Sequence, residues 1–373
     1  MNDFQIPLSY SSMASEGLIQ VLQRFEGRPH EEAITEFENR LAALTSSPFV
    51  VALNSGTAAI HLALKVLGVT AEDNVPISTF TYVGSVNPIL YQGANPVFID
   101  SEEATWNLNP DLLEKCLKDL SHKGKLPKAM IVVHAYGMPA QMEQITLISK
   151  EFGVPIIEDA AEALGGLYKG LPLGSIGDIG VLSFNNNKSM TTFGGGALLT
   201  RSHDVYEKVK FLATQAREAL PFYEHKEVGF NYRMSPLNAA CGIAQIEKII
   251  SIVEQRRNVF ERYERLLKSE EIKFQEEPKD FFSNRWLTTI LFKTGIDPLD
   301  VQKKLEENNI ESRPLWKPMH MQPVFKDAHC YGGSVSEGLF KAGLCLPSGS
   351  ALTEKDLHRV TGIILPELIK NRS

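Results

Sequence analysis

The chain has 373 residues, 43% of them hydrophobic and 22% charged, with a formal net charge of −7. That length suits two or three domains, or one large α/β unit with an appendage, and the composition can bury a sizeable core. The acidic balance argues against a general nucleic-acid or anionic-membrane binder. Cys116, Cys241, Cys330 and Cys345 are scattered and form no Cys-x-x-Cys pair, which speaks against a zinc ribbon or a disulfide framework. The first seven residues lack the basic start and apolar run of a signal peptide, and no stretch approaches the ~20 apolar residues of a membrane helix. A cytoplasmic protein with no membrane partner is expected.

From Phe49 onward, short apolar runs alternate with helical patterns. Phe49 to Leu53 reads as a strand and Thr57 to Leu67 as a helix. Val75 to Ile77 is the next strand, followed by a helix from Tyr82 to Tyr91. Pro96 to Asp100 is a strand, and Pro110 to Leu120 a helix capped near Asn109. Ala129 to Val133, a helix from Gln141 to Phe152, and a strand from Val154 to Ile157 continue the pattern. Ile179 to Phe184 and Gly196 to Thr200 are two further strands, joined through a polar turn that holds Lys188. Such alternation predicts an α/β fold, a mostly parallel sheet flanked by helices. Pro236 opens a long helical stretch, with one break, reaching Lys268. Strand-like Trp286 to Phe292 and helical Pro298 to Asn308 and Thr353 to Leu368 predict a smaller C-terminal α+β domain. The expected boundary lies within helix near residue 250, giving domains 1–250 and 251–373.

Ligands in parallel sheets sit at the carboxyl ends of the strands, and the chemically suggestive residues fall there. Asn54-Ser55-Gly56-Thr57 ends a strand and starts a helix, where backbone N–H groups and a glycine favour a phosphate. Ser55 and Thr57 add hydroxyls, although Ser55 also reads simply as a helix cap. Lys188 lies in a polar turn followed by Gly194, Gly195 and Gly196, and Glu158-Asp159 ends a buried strand. A lysine amine that condenses with an aldehyde, plus an acid that keeps a pyridine nitrogen protonated, are the parts needed to hold pyridoxal phosphate. Asp159 is preferred to Glu158, since strand neighbours point to opposite faces. Tyr82, with Phe80 as the alternative, can lay an aromatic ring on the pyridine. Ser183, five residues before Lys188, can reach the phosphate. Asn231 lies in a turn before the long helix. His61, His122 and His203 have no metal-like spacing, and no metal is expected.

These motifs resemble those of the DegT family of nucleotide-sugar aminotransferases, fold-type I pyridoxal-phosphate enzymes. The likeness runs from Ile6-Pro-Leu-Ser9 to the C-terminus. It rests on Asn-Ser-Gly-Thr at 54–57, Thr-Phe-Thr-Tyr at 79–82, Glu-Asp-Ala-Ala-Glu at 158–162, Ser-Phe-Asn-Asn-Asn-Lys at 183–188 and Gly-Phe-Asn-Tyr-Arg-Met at 229–234. The resemblance implies that Lys188 forms the imine with the cofactor, Asp159 pairs with the pyridine nitrogen and Tyr82 stacks on the ring. Gly56, Thr57 and Ser183 would hold the phosphate, joined by Asn231 from a second subunit of a homodimer that shares its active sites. Glu162 stands where many members have glutamine, near the cofactor's phenolic oxygen or the substrate. Asn186 and Phe193 replace residues that are usually glycine or small.

Ser312-Arg-Pro-Leu-Trp-Lys-Pro-Met-His320, with Leu344-Cys-Leu-Pro-Ser-Gly349, resembles the subgroup acting at C4 of UDP-linked 4-keto-6-deoxy-N-acetylhexosamines. Trp316, Lys317 and His320 would then contact the nucleotide sugar, with L-glutamate as amino donor. The alternatives are amination of a dTDP-3-keto sugar or of a GDP-4-keto sugar, and a non-catalytic relative. A sugar 3-dehydratase of the same family is disfavoured, because those relatives carry histidine at the lysine position.

Overall fold

The computed structural model describes residues 4–9, 15–28, 31–293 and 295–370; residues 1–3, part of the segment read for a leader, lie outside it. Apolar runs buried on both sides form its centre. In strand β1 (Phe49–Leu53), Val50 and Ala52 pack to one side of the sheet and Val51 and Leu53 to the other. After β2 (Asn74–Ser78) and β3 (Asn95–Ile99), strand β4 (Met130–Val133) repeats this, with Met130 and Val132 on the first face and Ile131 and Val133 on the second. Burial of both faces is the reason these strands read as continuous hydrophobic runs rather than as alternation.

Strand β5 (Ile156–Asp159) is followed by a short hairpin, β6 (Leu167–Tyr168) and β7 (Leu171–Pro172), and then by β8 (Ile179–Ser183) and β9 (Gly196–Thr200). With the edge strand β14 (Cys330–Tyr331), the main sheet runs β1-β9-β8-β5-β4-β2-β3-β14. Only β9 runs antiparallel to its neighbours β1 and β8; the other pairings are parallel. The expectation of a mostly parallel sheet flanked by helices therefore holds.

Helices α1 (Ser15–Phe25) and α2 (Glu31–Thr45) pack on the first face, and α3 (Gly56–Val66) and α4 (Val83–Tyr91) on the second. The first face is also covered by α5 (Pro110–His122), α6 (Met142–Phe152) and α8 (Pro236–Ile246), and the second by α7 (His203–Ala213). As the sequence indicates, Asn109 caps α5, its side chain accepting from the N–H groups of Asp111 and Leu112.

The long helical stretch breaks once, at Glu247-Lys248, before α9 (Ile249–Leu266). Ile249 and Val253 of α9 pack into the first core, whereas Val259 and Tyr263 pack into a third. That third core belongs to an antiparallel sheet of β10 (Ile272–Phe274), β12 (Thr288–Phe292), β15 (Gly343–Leu346) and β13 (Arg313–Pro314). Helices α10 (Pro298–Glu307) and α12 (Glu354–Lys370) complete it, and Ile6 from the start of the chain packs into it. Strand β11 (Phe281–Phe282) pairs with β6, and helix α11 (Ser334–Ala342) precedes β15. Residues 286–287, read as part of β12, turn out of its ladder instead. Trp286 N–H bonds to the Asn284 side chain at 3.0 Å, and its carbonyl accepts from Arg256. Among the described residues no helix is long and apolar enough to cross a membrane.

Candidate active site

The carboxyl ends of β1, β2, β4, β5 and β8 open onto one cavity of about 840 Å3, within the ~300–1,000 Å3 usual for small-molecule sites. Ser55, Gly56, Thr57, Tyr82, Asp159, Glu162, Ser183, Lys188, Trp316 and Lys317 all line it. Asn231 and His320 do not.

The floor is built where β1 passes into α3. Ser55 is the N-cap: its hydroxyl accepts from Ala58 N–H at 3.0 Å, and its carbonyl from Ala59 N–H at 3.2 Å. Among the described residues no partner is found for the Gly56 and Thr57 N–H groups of the first turn, at the positive end of the helix. Gly196 of β9 passes this turn so closely that a Cβ there would lie 2.4 Å from Gly56 N. Ser183 is seated against the same turn, since a Cβ on Gly56 would meet Ser183 Cβ at 3.2 Å. The result is two backbone donors and a serine hydroxyl around one spot, a cradle suited to a phosphate.

Three acids lie near this floor in different settings. Glu158 faces away from the cavity and is fully buried. His134 Nε2 donates to it at 2.8 Å, and the N–H groups of Gly174, Ile176 and Gly177 do so at 2.6 to 2.8 Å. Burial pushes its carboxyl up, but the hydrogen bonds from His134 and from the Gly177 and Gly174 N–H groups outweigh burial and hold it below the usual range. Ala140 N–H donates to His134 Nδ1 at 3.0 Å, which leaves the ring proton on Nε2 for Glu158. Asp159, one residue on, lines the cavity; Ser85 Oγ donates to its Oδ2 at 2.7 Å and Ala161 N–H to its Oδ1 at 3.0 Å. Glu162 accepts from Tyr136 N–H at 3.0 Å and from Lys188 Nζ at 3.3 Å. Burial raises its carboxyl to about 7, against the opposing charge of Lys188.

The lysine turn is held from outside its own strand pair. The Asn187 carbonyl accepts from Trp286 Nε1 at 2.8 Å and from Ser9 Oγ at 2.9 Å. Lys188 Nζ lies 4.4 Å from the centre of the Trp286 ring, within cation–π range. Behind them Arg256, fully buried, donates to the Ser348 carbonyl and to Ser9 Oγ, both at 3.1 Å. Burial pushes its guanidinium down to about 10. In the same turn Phe193, one of the sequence departures, has φ +60° and is exposed, its N–H bonded to Thr191 Oγ1 at 2.9 Å.

Arg313, Trp316 and Lys317, from β13 and the segment after it, line the cavity as its outer wall. Trp316 stacks on Tyr136 with ring centres 4.2 Å apart, and the Trp316 backbone N–H donates to the Tyr136 hydroxyl at 2.9 Å. Of the two aromatic candidates before α4, Tyr82 is 62% exposed and lines the cavity, whereas Phe80 is buried edge-on against Tyr136 and Trp316. His320 Nδ1 is hydrogen-bonded to Thr79 Oγ1 at 2.7 Å, and its Nε2 lies 3.4 Å from Glu337. Asn231 is exposed, and its carbonyl accepts from Asn54 Nδ2 at 3.2 Å.

The model of the DegT/DnrJ/EryC1/StrS aminotransferase family matches residues 16–365. The chain belongs to that family. EpsN of Bacillus subtilis (strain 168), which carries the name of a pyridoxal phosphate-dependent aminotransferase, is 48% identical to this DegT-family chain over 337 residues, 89% of this chain and 87% of EpsN. The GDP-perosamine synthase of Escherichia coli O157:H7 is 34% identical over 87% of each chain. The crystal structure of a DegT DnrJ EryC1 StrS aminotransferase from Brucella abortus matches with a TM-score of 0.87 at 27% identity, covering 94% of this chain and 95% of that one.

This DegT-family member is a sugar aminotransferase that depends on pyridoxal phosphate. The residues present fit that cofactor: an anion cradle, an acid at a strand end, an exposed aromatic ring and a lysine reach one cavity from separate elements. Ser85, Tyr136 and Trp286 were not singled out from the sequence. Tyr136 lies three residues past the end of β4, close enough for the strand-end rule to point to it. Ser85 lies within an ordinary helical pattern and carries no such signal.

Proposed function

We propose that the enzyme moves an amino group from L-glutamate to C4 of a nucleotide-linked 4-keto-6-deoxy sugar, with a UDP-linked 4-keto-6-deoxy-N-acetylhexosamine as acceptor. The observation that carries this reading is the convergence of Lys188, Asp159 and the 55–57 turn on one cavity whose outer wall carries Arg313, Trp316 and Lys317. Pyridoxal phosphate, when bound, supplies an aldehyde for the amine and a sink for negative charge at the reacting carbon. The chain supplies position and charge. The Gly56 and Thr57 N–H groups and Ser183 would hold the phosphate, the Tyr82 ring would lie against the pyridine, and Asp159, oriented by Ser85, would keep the ring nitrogen protonated. Glu162 would face the phenolic oxygen. Lys188 would be the amine that holds the cofactor and, when released from it, the group that moves a proton.

Trp316 offers a flat apolar face to the nucleotide sugar, and Lys317 and Arg313 offer cations to its diphosphate. His320 sets the Thr79–Tyr82 segment beneath them through Thr79. Asn231, exposed and off the wall of its own cavity, acts on the phosphate in the second subunit of a cytoplasmic homodimer. The division between the large and the small domain falls inside α9, whose two ends pack into different cores.

The likeness to a GDP-perosamine synthase favours one second reading, a GDP-linked 4-keto-6-deoxyhexose as acceptor with the same residues in the same roles. Loops and pocket shape decide between them. The test is incubation with L-glutamate and a panel of UDP-, GDP- and dTDP-linked keto sugars, with aminated products analysed by mass and NMR. A C4-amino product from the UDP sugar supports the first reading. Turnover of only the GDP sugar replaces it with the second, and turnover of only a 3-keto sugar defeats both.

A further inference from the structure

Glu158 and Glu162 are two buried glutamates four residues apart, and they are provided for very differently. Glu158 receives four hydrogen-bond donors, from His134 and three backbone N–H groups, enough to fix it as a carboxylate. Glu162 receives one backbone donor, the Tyr136 N–H on Oε2, and its other oxygen faces the Lys188 amine at 3.3 Å. The remaining titratable groups that act on it are Asp159 on β5, which opposes its ionisation, and Tyr136 and Cys345, both buried beside it. Glu162 is thus a buried carboxyl on the cavity wall left short of donors, with its other oxygen aimed at the one amine the chemistry uses.

We propose that Glu162 is the proton partner of Lys188, taking the ammonium proton onto Oε1 to leave a neutral amine and returning it afterwards. The step balances without any further reactant. One N–H bond breaks and one O–H bond forms, the lone pair stays on Nζ, and the positive and negative charges disappear together. This inference rests on the assignment of Lys188 as the cofactor lysine and extends it. Burial brings the Glu162 carboxyl to about 7, so its proton affinity lies near working pH, where a proton carrier is most effective. The Trp286 face, 4.4 Å from Nζ, stabilises the ammonium form when the proton returns. The Trp286 Nε1 bond to the Asn187 carbonyl keeps the turn in register for the transfer.

Glu162→Gln tests this, because the amide still accepts from Tyr136 N–H and fills the same space but cannot take the proton. Two readouts are used. In apo-protein, difference infrared spectra across pH should show a carboxylic-acid carbonyl band that titrates at about 7 in the wild type and is missing in the variant. In cofactor-loaded protein, stopped-flow absorbance with L-glutamate should show the half-reaction slowed about 100-fold, with the pH limb near neutrality removed. The variant should still take up the cofactor, so that the slowed half-reaction is read on loaded enzyme. A variant with the wild-type half-reaction rate and pH profile overturns the proposal, as does the absence of the titrating band in the wild type. Lys188→Ala keeps that failure distinct: if it is inert while Glu162→Gln is normal, the lysine assignment stands and only the proton partner falls.

Discussion

Gly196→Ala probes the phosphate cradle through the backbone that shapes it. The added Cβ would lie 2.4 Å from Gly56 N and from the Ser55 carbonyl carbon, and 2.6 Å from the Ser55 oxygen, where ordinary contact begins at 3.4 Å. All three are backbone atoms of the turn itself, so no side chain can swing away. Relief requires the 55–56 peptide and β9 to part by about 1 Å. A hydrogen bond at about 2.9 Å stretched by that amount is lost. Donors to a charged phosphate are worth about 1.5–3 kcal/mol each, so displacing even one weakens cofactor binding roughly 10- to 150-fold. The same crowding costs the fold about 1–3 kcal/mol.

The assay is a titration of apo-protein with pyridoxal phosphate by absorbance, beside urea denaturation. Gly362→Ala serves as the control, since nothing lies within 4 Å of its Cβ and it sits inside α12. It should bind normally and match or exceed wild-type stability. Ser183→Ala covers the case in which Gly196→Ala does not fold, and should bind the cofactor several-fold more weakly, a loss of about 1 kcal/mol. Wild-type cofactor affinity in both Gly196→Ala and Ser183→Ala would refute the placement of the phosphate at this turn.

Asp159→Asn keeps an acceptor for Ser85 but loses the charge that holds the ring nitrogen protonated; turnover should fall at least ~100-fold with cofactor still bound, measured by steady-state rates and absorbance. Glu158→Ala leaves His134 and three backbone N–H groups without their acceptor, and urea denaturation should show about 3–5 kcal/mol lost. The folded state holds the Glu158 carboxyl below its unfolded value of 4.5, so its contribution is present above that pH and lost as pH falls through the folded value. Glu162 has the opposite sign: its folded value, about 7, exceeds 4.5, so its contribution is full below pH 4.5 and lost as pH rises through 7. Apo-protein stability should therefore drop between those values, and Glu162→Gln should flatten the drop.

Strands β1 and β9 could be read residue for residue, because a strand buried on both faces is an unbroken apolar run bounded by turn residues. Strand ends placed Asp159 and the 54–57 turn at one crevice, and Lys188 was read in the polar turn between β8 and β9. The support beneath them was not legible. Trp286 and Ser9 reach Asn187 from 99 and 178 residues away, and no local pattern encodes a meeting at that distance. Arg256 sits in a charged repeat that reads as a solvated helix face, yet it is 1% exposed and bonded to backbone carbonyls. Tyr136 adopts φ +56°, a left-handed turn that its sequence neighbours do not announce. His320 looked like a sugar contact in its Trp-Lys-x-x-His cluster, but its ring faces Thr79 and Glu337.

Borohydride reduction of the cofactor-saturated enzyme, followed by peptide mapping, bears most directly on the central claim. A pyridoxyl adduct should be found on the Nζ of Lys188, with stoichiometry near one per chain and with the visible band bleached. An adduct on another lysine, such as Lys317 in the outer wall, or no adduct at all from a protein that still carries the visible band, would contradict it.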